Sequence, residues 1–171
     1  MPEPHGPSLP FRLASSAGRY TSLIVGYMRG SQRLRCLGRY LIVVIGCSLV
    51  WETLQMPLYT IWESATVLEQ VADVVQCTGA DVVIALGSLV LAMVVAGNGS
   101  WAIRRYAQVG ILACGFAVGY TNFSEWLNVQ VRHTWAYSDL MPVLPGTGTG
   151  LAPVIQWMVI PLAGWWWARR G

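Results

Sequence analysis

Apolar residues in this chain form four long blocks, each close to the length of a helix that crosses a membrane. The blocks cover about residues 40–59, 81–98, 104–126 and 151–168. An α-helix of about 20 apolar residues spans the hydrocarbon core of a bilayer, which is roughly 30 Å thick. Half-buried strands would instead show short runs in which apolar and polar positions alternate. The pattern therefore predicts four transmembrane helices.

The first block carries a polar stripe in its second half. Glu52 is followed by Gln55 and Tyr59 at positions i+3 and i+7, so the three side chains share one face of a helix. Glu52 lies roughly 12 Å from the end of this span, which places it inside the hydrocarbon. A charge at that depth costs roughly 2.5 to 3.5 kcal/mol on insertion scales, so we expect Glu52 to face the bundle interior and to serve a function.

The other blocks carry their polar residues toward the same side of the predicted membrane. The second begins at Asp81, the third ends in a polar run over 120–128, and the fourth has Gln156 near its start. The opposite halves are apolar, and Gly115 and Gly119 have the small-xxx-small spacing that allows helices to approach closely. The sequence therefore predicts a polar pocket at one end of a helical bundle.

The composition agrees with a membrane protein and argues against a soluble one. Hydrophobic residues make up 54% of the 171 residues, and charged residues make up only 11%. A soluble domain has about one quarter charged residues. The glycine run at 146–150 follows no predicted strand, so it does not match a phosphate-binding loop. The sequence also contains no nucleic-acid-binding motif, so we expect no nucleic-acid partner.

The arginines are distributed unevenly and orient the predicted helices. The chain has no lysine, and ten of its eleven arginines fall in three stretches, namely 1–39, 104–105 and 169–170. Only Arg132 lies elsewhere, in a part of the sequence where acidic residues predominate. By the positive-inside rule, both termini are predicted to be cytoplasmic. The loops at about 60–80 and 127–150 are then predicted to face outward.

The chain divides into an arm and a membrane domain. Residues 1–38 are rich in Pro, Gly, Ser and Arg and lack a long apolar run. They are predicted as a basic, partly disordered cytoplasmic arm with a short interfacial helix at about 20–28. Residues 39–171 are predicted to contain the four spans. The predicted fold class is an all-α integral membrane protein, a four-helix transmembrane bundle with cytoplasmic N- and C-termini.

Two carboxylic acids on the outward side are candidates for acid/base catalysis. Glu52 is expected to be buried, and Glu125 is expected to be ionised beside Arg132, which follows it at i+7 on one helical stripe. Unequal environments of this kind allow one acid to donate a proton while the other accepts one. We predict Glu52, Glu125 and Arg132 as catalytic residues.

The other polar and aromatic side chains of the outward half are expected to bind the substrate. They are Gln55, Tyr59, Asp81, Asn128, Trp135, Tyr137 and Gln156. The segment 135–142 is too aromatic for a solvated linker, and we expect it to fold back onto the mouth of the bundle. The alternative for each amide taken alone is a structural hydrogen bond between helices, which averages roughly 0.6 kcal/mol.

No metal and no cofactor is predicted. His5 and His133 fall on opposite sides of the predicted membrane, so they cannot jointly ligate a haem. His133 with Glu125 and Asp139 lacks the spacing that is typical of a metal site. Cys77 is the one cysteine predicted on the outward side, where it is free to react or to pair with a partner.

These features lead to one main hypothesis and two alternatives. The main hypothesis is a small polytopic protein of a bacterial inner membrane whose pocket binds or transforms a lipid-like or isoprenoid substrate by acid/base chemistry. The first alternative is a non-catalytic membrane subunit or assembly factor that binds a protein partner. The second is a homo-oligomer that conducts a small solute or protons. Membrane lipid is an expected partner in each case.

Overall fold

The described part of the chain is helical. The computed structural model describes residues 9–96 and 105–170, with side chains from residue 30 onward. Its elements are α1 (Leu9–Gln55), a 3-10 turn (Met56–Leu58), α2 (Ile61–Ser64), α3 (Val67–Ala96), α4 (Tyr106–Trp126), a π-helical segment (Leu127–Arg132) and α5 (Leu151–Arg169). These described ranges contain no strand, and their only β pairings are isolated bridges between Tyr59 and Tyr137 and between Val143 and Gly150.

Three of the described helical segments are long and apolar enough to cross a membrane. They are Gly30–Leu58, Val67–Ala96 and Leu151–Arg169. The prediction of an all-helical membrane protein is therefore confirmed at this level. Helix α4 coincides with the third predicted span, but Gln108 near its start and the polar run at its end make it less apolar. A fourth span stays a prediction.

Helix α1 begins much earlier than the predicted first span. It starts at Leu9 and so includes most of the segment predicted as a disordered arm, together with the predicted interfacial helix at 20–28. Pro10 lies in its first turn, where proline is tolerated, and the next proline in the chain is Pro57. No residue in between forces the helix to stop. The prediction of disorder for residues 1–8 lies outside the described residues.

Helix α3 begins at Val67, within the predicted outward loop of residues 60–80. Thr66 and Glu69 form a capping box at its start. The Glu69 carboxylate accepts a hydrogen bond from the Thr66 backbone N–H at 2.8 Å, and the Thr66 hydroxyl accepts one from the Glu69 N–H at 3.4 Å. The prediction of a loop here is wrong, because these two side chains satisfy backbone donors that would otherwise be unpaired.

Contacts divide the chain into two compact units, Met1–Arg35 and Cys36–Gly171, with the boundary inside α1. In the second unit, α1, α3, α4 and α5 share one cluster of buried apolar residues. Helix α4 contacts both α3 and α5. Alanines such as Ala85 and Ala92 on α3 and Ala113 and Ala117 on α4 are buried in this cluster. Small side chains allow the backbones of neighbouring helices to approach closely.

The tightest glycine contact in this core lies at Gly110 on α4. A Cβ atom at this position would overlap the indole ring of Trp165 on α5. That ring stacks on Tyr106, with the ring centroids 4.3 Å apart, and its Nε1 donates to the Tyr106 carbonyl at 2.9 Å. Gly115 and Gly119 are exposed, and no described atom lies within 4 Å of a Cβ there. The predicted contact at these two glycines is wrong, because the spacing does not indicate which face of α4 is packed.

A proline interrupts the hydrogen bonding of α5. Pro161 has no N–H to donate to the carbonyl of Trp157, four residues earlier. The thiol of Cys114 on α4 donates to that carbonyl instead, with 3.4 Å between sulfur and oxygen. A neighbouring helix thus supplies the hydrogen bond that α5 cannot make for itself.

The outer surfaces of the helices are apolar. Leu54 on α1, Val83 on α3 and Ile111 on α4 have about 70% of their surface exposed, at 73%, 70% and 68% respectively. Large contiguous apolar patches are rare on soluble monomers. Contact with lipid tails accounts for this surface, in agreement with the apolar composition.

Candidate functional site

Buried polar side chains gather at the end of the second unit where α1 and α4 finish and where the first halves of α3 and α5 lie. Glu52 comes from α1, Asp81 from α3, Glu125 from α4 and Gln156 from α5. Each of the three acids is at most 8% exposed, and Gln156 is 2% exposed. Helices that alternate in direction bring these four positions, which are distant in sequence, to the same end.

Gln156 connects two of the acids. Its side-chain nitrogen donates to Glu52 Oε1 at 2.9 Å and to Asp81 Oδ2 at 2.7 Å. An amide nitrogen carries two hydrogens, so both are used in this arrangement. The carboxyl groups of Glu52 and Asp81 also lie within hydrogen-bonding reach of each other. The structure therefore joins Glu52 and Asp81 into one carboxyl pair held by Gln156.

A second amide holds the other oxygen of Glu52. Gln55 donates to Glu52 Oε2 at 2.8 Å, and the indole N–H of Trp51 donates to Gln55 Oε1 at 3.1 Å. Ser48, one turn before Glu52, lies beside Asp81. Each oxygen of Glu52 thus has an amide donor, which fixes the orientation of the carboxyl group.

The acids line a cavity of about 540 Å³. Its described polar lining consists of Glu52, Gln55, Tyr59, Thr60, Ser64, Asp73, Gln76, Cys77, Asp81, Thr121, Ser124, Glu125, Thr134 and Gln156. Trp135 and Trp157 add aromatic surface, and Met56, Val74 and Ile84 add apolar surface. Clefts of roughly 300 to 1,000 Å³ with mixed lining of this kind are typical of small-molecule sites.

Glu125 is held by the loop that follows α4. The hydroxyl of Tyr137 donates to Glu125 Oε2 at 2.5 Å and accepts from the Gly150 backbone N–H at 2.8 Å. Burial, together with the Glu125 carboxyl as acceptor, raises the pKa of Tyr137 above its usual value, so the phenol remains a donor. Trp135 lies beside the same carboxyl group.

The loop folds back over the end of α1. The backbone carbonyl of Ala136 accepts from Thr60 N–H at 3.0 Å, and the Ser138 N–H donates to the Leu58 carbonyl at 3.0 Å. The rings of Tyr59 and Tyr137 pack edge to face, with centroids 5.5 Å apart. The aromatic segment thus covers the mouth of the cavity, in the manner that its composition predicted.

Three predicted site residues, Arg132, Asn128 and Tyr137, are not part of the described cavity lining, and Tyr137 instead contacts Glu125 through its hydroxyl group. Arg132 is exposed, and within the described residues it makes no ion pair with Glu125. The cause is the π-helical form of Leu127–Arg132, in which each residue rotates less about the helix axis than in an α-helix. Arg132 therefore leaves the stripe of Glu125. Asn128 instead caps the end of α4, where it donates to the Ser124 carbonyl at 2.8 Å.

Several lining residues were not among the predicted site residues. Asp73 and Cys77 lie at i and i+4 on α3, and the predicted site residue Asp81 follows at i+8, so the three share one helical face. The sequence shows this shared face only if the helix begins before residue 73, and the predicted second span began at residue 81. Thr121 also lines the cavity, and no feature of the sequence distinguishes it from the other hydroxyl residues of α4.

The site contains a buried polar atom that lacks a partner. The Thr121 hydroxyl oxygen has no hydrogen bond to any described residue. Among the residues that the structure describes, no three His, Cys, Asp or Glu side chains form a group suited to a metal ion. Comparison with protein-family models, curated proteins and solved structures finds no match. The chemistry of the cavity is therefore the basis for a functional proposal.

Proposed function

We propose that this chain is a polytopic protein of a bacterial inner membrane whose cavity binds a lipid-like or isoprenoid substrate and transforms it by acid/base chemistry. In this proposal α4 is the fourth transmembrane helix, both termini are cytoplasmic and the cavity opens on the outward side. The observation that carries it is the Glu52–Asp81 carboxyl pair bound by Gln156 at the inner wall of the cavity.

The basic residues at the opposite end of the second unit support this orientation. Arg39 lies over the ring of Trp167, Arg169 over Tyr106 and Arg170 over Trp166. Arginines beside aromatic rings are typical of the headgroup region, and an excess of arginine favours the cytoplasmic side. The acids of the cavity lie at the other end, with the apolar core between them and these arginines.

The carboxyl pair can supply an acid and a base together. Two carboxylates that approach each other in an apolar site repel, so such a pair retains one proton between its members. The protonated member can add a proton to one carbon of a double bond while the ionised member removes a proton from the saturated carbon attached to the other carbon of that double bond. The result is a shifted double bond, and the pair returns to its initial proton count without a co-reactant.

The structure modifies the assignment of the predicted catalytic residues. Glu52 remains the central acid, and its immediate partner is Asp81 instead of Glu125. Glu125 faces the same cavity with Tyr137 as its donor, which suits it for orienting a hydroxyl or other polar group of the substrate. Arg132 has no place in the proposed chemistry.

Filling the cavity is expected to remove the bound amphiphile. Ala80 lines the cavity on α3 between Cys77 and Asp81, so Ala80→Trp places an indole ring in the space that the ligand needs. Wild-type and variant proteins would be purified in parallel in a mild detergent, and the extracted lipid-soluble molecules compared by mass spectrometry. We expect a species enriched on the wild type to fall about tenfold or more on the variant.

Two further variants complete this comparison. Thr134→Trp fills the cavity from the loop side and should reproduce the loss, which guards against misfolding of a single variant. Gly115→Trp adds an indole ring on the exposed surface of α4 and should retain the ligand. Equal lipid profiles for wild type and both cavity variants would refute binding in the cavity.

Acid/base chemistry is expected to place solvent deuterium on carbon atoms of the ligand. The wild-type protein with its co-purified ligand would be incubated in D₂O, returned to H₂O and extracted for mass spectrometry. We expect a retained mass increase for the wild type and for Asp139→Asn, since Asp139 is exposed. Glu52→Gln should bind the ligand without this increase. A wild-type ligand that takes up no carbon-bound deuterium would instead favour the non-catalytic subunit.

A further inference from the structure

The cavity has a strong imbalance of charge. Four carboxyl side chains line it, from Glu52, Asp73, Asp81 and Glu125. Its described lining contains no Arg, Lys or His side chain. Even when Glu52 and Asp81 share one proton, the remaining groups leave a negative potential in a space with apolar walls. Charges of one sign in a cleft with low-dielectric walls concentrate ions of the opposite sign.

No described protein group balances this charge. Arg132 is the arginine nearest in sequence to Glu125, and it is exposed outside the lining. The described acids do not form a group suited to a metal ion. Protonation can neutralise buried carboxyl groups, and a ligand that carries its own positive charge is the other way to balance the cavity.

An independent feature of the wall also indicates a ligand. Thr121 is only 5% exposed, lines the cavity and has a hydroxyl oxygen without a described partner. Buried polar atoms are normally hydrogen-bonded, so this position suits a polar group of an occupant.

The walls suit a cationic head attached to an apolar chain. Trp135, Trp157 and Tyr59 provide aromatic rings, whose faces attract ammonium groups by about 0.5 to 2 kcal/mol each. Met56 and Ile84 provide apolar surface for the chain. We propose that the ligand of this cavity is a cationic amphiphile, with an amine or quaternary ammonium head among the carboxyl groups. This inference rests on the proposed binding function and specifies its substrate class.

The test compares three probes that share one alkyl chain and differ in head charge. They are decyltrimethylammonium, decyl sulfate and decanol, in tritiated form, added to the full chain in nanodiscs of an uncharged glycolipid, which has no ammonium head to compete with the first probe. Binding to empty nanodiscs is subtracted, and nanodiscs with Ala80→Trp report binding outside the cavity. We expect saturable binding of the ammonium probe at least about tenfold tighter than that of the other two.

Charge removal in the cavity is expected to weaken this binding. Asp73→Asn is the main variant, because Asp73 lines the cavity and accepts no hydrogen bond from a described side chain, so the substitution leaves the Gln156 network intact. We expect the Kd of the ammonium probe to rise about tenfold and that of decanol to stay unchanged. Glu63→Gln and Asp139→Asn remove exposed carboxyl groups outside the cavity lining and should leave both constants unchanged.

The outcomes separate this inference from the proposed function. If the amphiphile that co-purifies is lost on Ala80→Trp but the three probes bind equally, the cavity binds a ligand and the cationic class is wrong. Tighter binding of decyl sulfate would also overturn it. If neither the co-purified species nor any probe depends on Ala80, the proposed binding function itself fails.

Discussion

Gln156→Leu is expected to lower the free energy of unfolding by about 3 kcal/mol or more, the largest effect of any single substitution proposed for this protein. Leucine has nearly the same volume as glutamine but no donor. The change therefore leaves Glu52 Oε1 and Asp81 Oδ2 without the amide hydrogens that now lie 2.9 and 2.7 Å away. The two acids would then face each other in an apolar surrounding, where an unpaired carboxylate is strongly unfavourable.

Reversible unfolding of the purified protein in mixed micelles, followed by circular dichroism, measures this change. Gln108→Leu is the matched control, because Gln108 is exposed on α4 and has no described hydrogen bond, and it should change the stability by less than about 0.5 kcal/mol. In an Asp81→Asn background, the loss caused by Gln156→Leu should be smaller by about 1 to 3 kcal/mol, since the repulsion is already absent. If Gln156→Leu lowers the free energy of unfolding equally in the wild-type protein and in the Asp81→Asn protein, Gln156 and Asp81 do not belong to one network.

Gly110→Ala is expected to destabilise the protein by about 2 kcal/mol, although alanine is the better helix former. The added methyl group would overlap the ring of Trp165, which is itself held by stacking on Tyr106 and by its hydrogen bond to the Tyr106 carbonyl. The indole cannot move aside without losing these contacts. Unfolding in the same micelles measures the effect.

Gly115→Ala provides the opposite expectation on the same helix. No described atom lies within 4 Å of a Cβ at this position, so only the helix preference of alanine applies and the stability should rise by about 0.5 to 1 kcal/mol. Destabilisation by both substitutions to the same extent would mean that Gly110 has no special contact with Trp165. The pair of glycines thus tests the packing of α4 against α5.

The strongest features of the fold could be predicted from apolar block length. Most of the segment 40–59 lies in α1, which ends at Gln55, and the segment 151–168 lies within α5, because the bilayer imposes a length that is easily recognised in a sequence. The start of α3 was missed because residues 60–80 were interpreted by their polarity alone. The Thr66-x-x-Glu69 pattern in that segment is a helix start signal, and it outweighs the charges around it.

A site residue could be predicted where its burial in a membrane span is energetically unfavourable, and other site residues were harder to predict. Glu52 was found because an acid deep in a span must have partners, and Gln156 and Gln55 are those partners. Whether Asp81 or Glu125 lies beside Glu52 depends on how α3 and α4 are rotated relative to each other, which no local sequence pattern specifies. Arg132 was misplaced because the sequence does not show that the helix widens to a π-helix after Trp126.

The missing backbone hydrogen bond of α5 has a consequence for the cavity. Trp157 lies in the cavity wall, and its carbonyl is bound by the Cys114 thiol across the helix interface instead of by its own helix. A thiol is a weak donor, so the backbone of α5 is held less firmly at this point than along the rest of the helix. Gln156 is the adjacent residue. The side chain that binds both acids therefore lies one residue from the weakest backbone hydrogen bond of its helix.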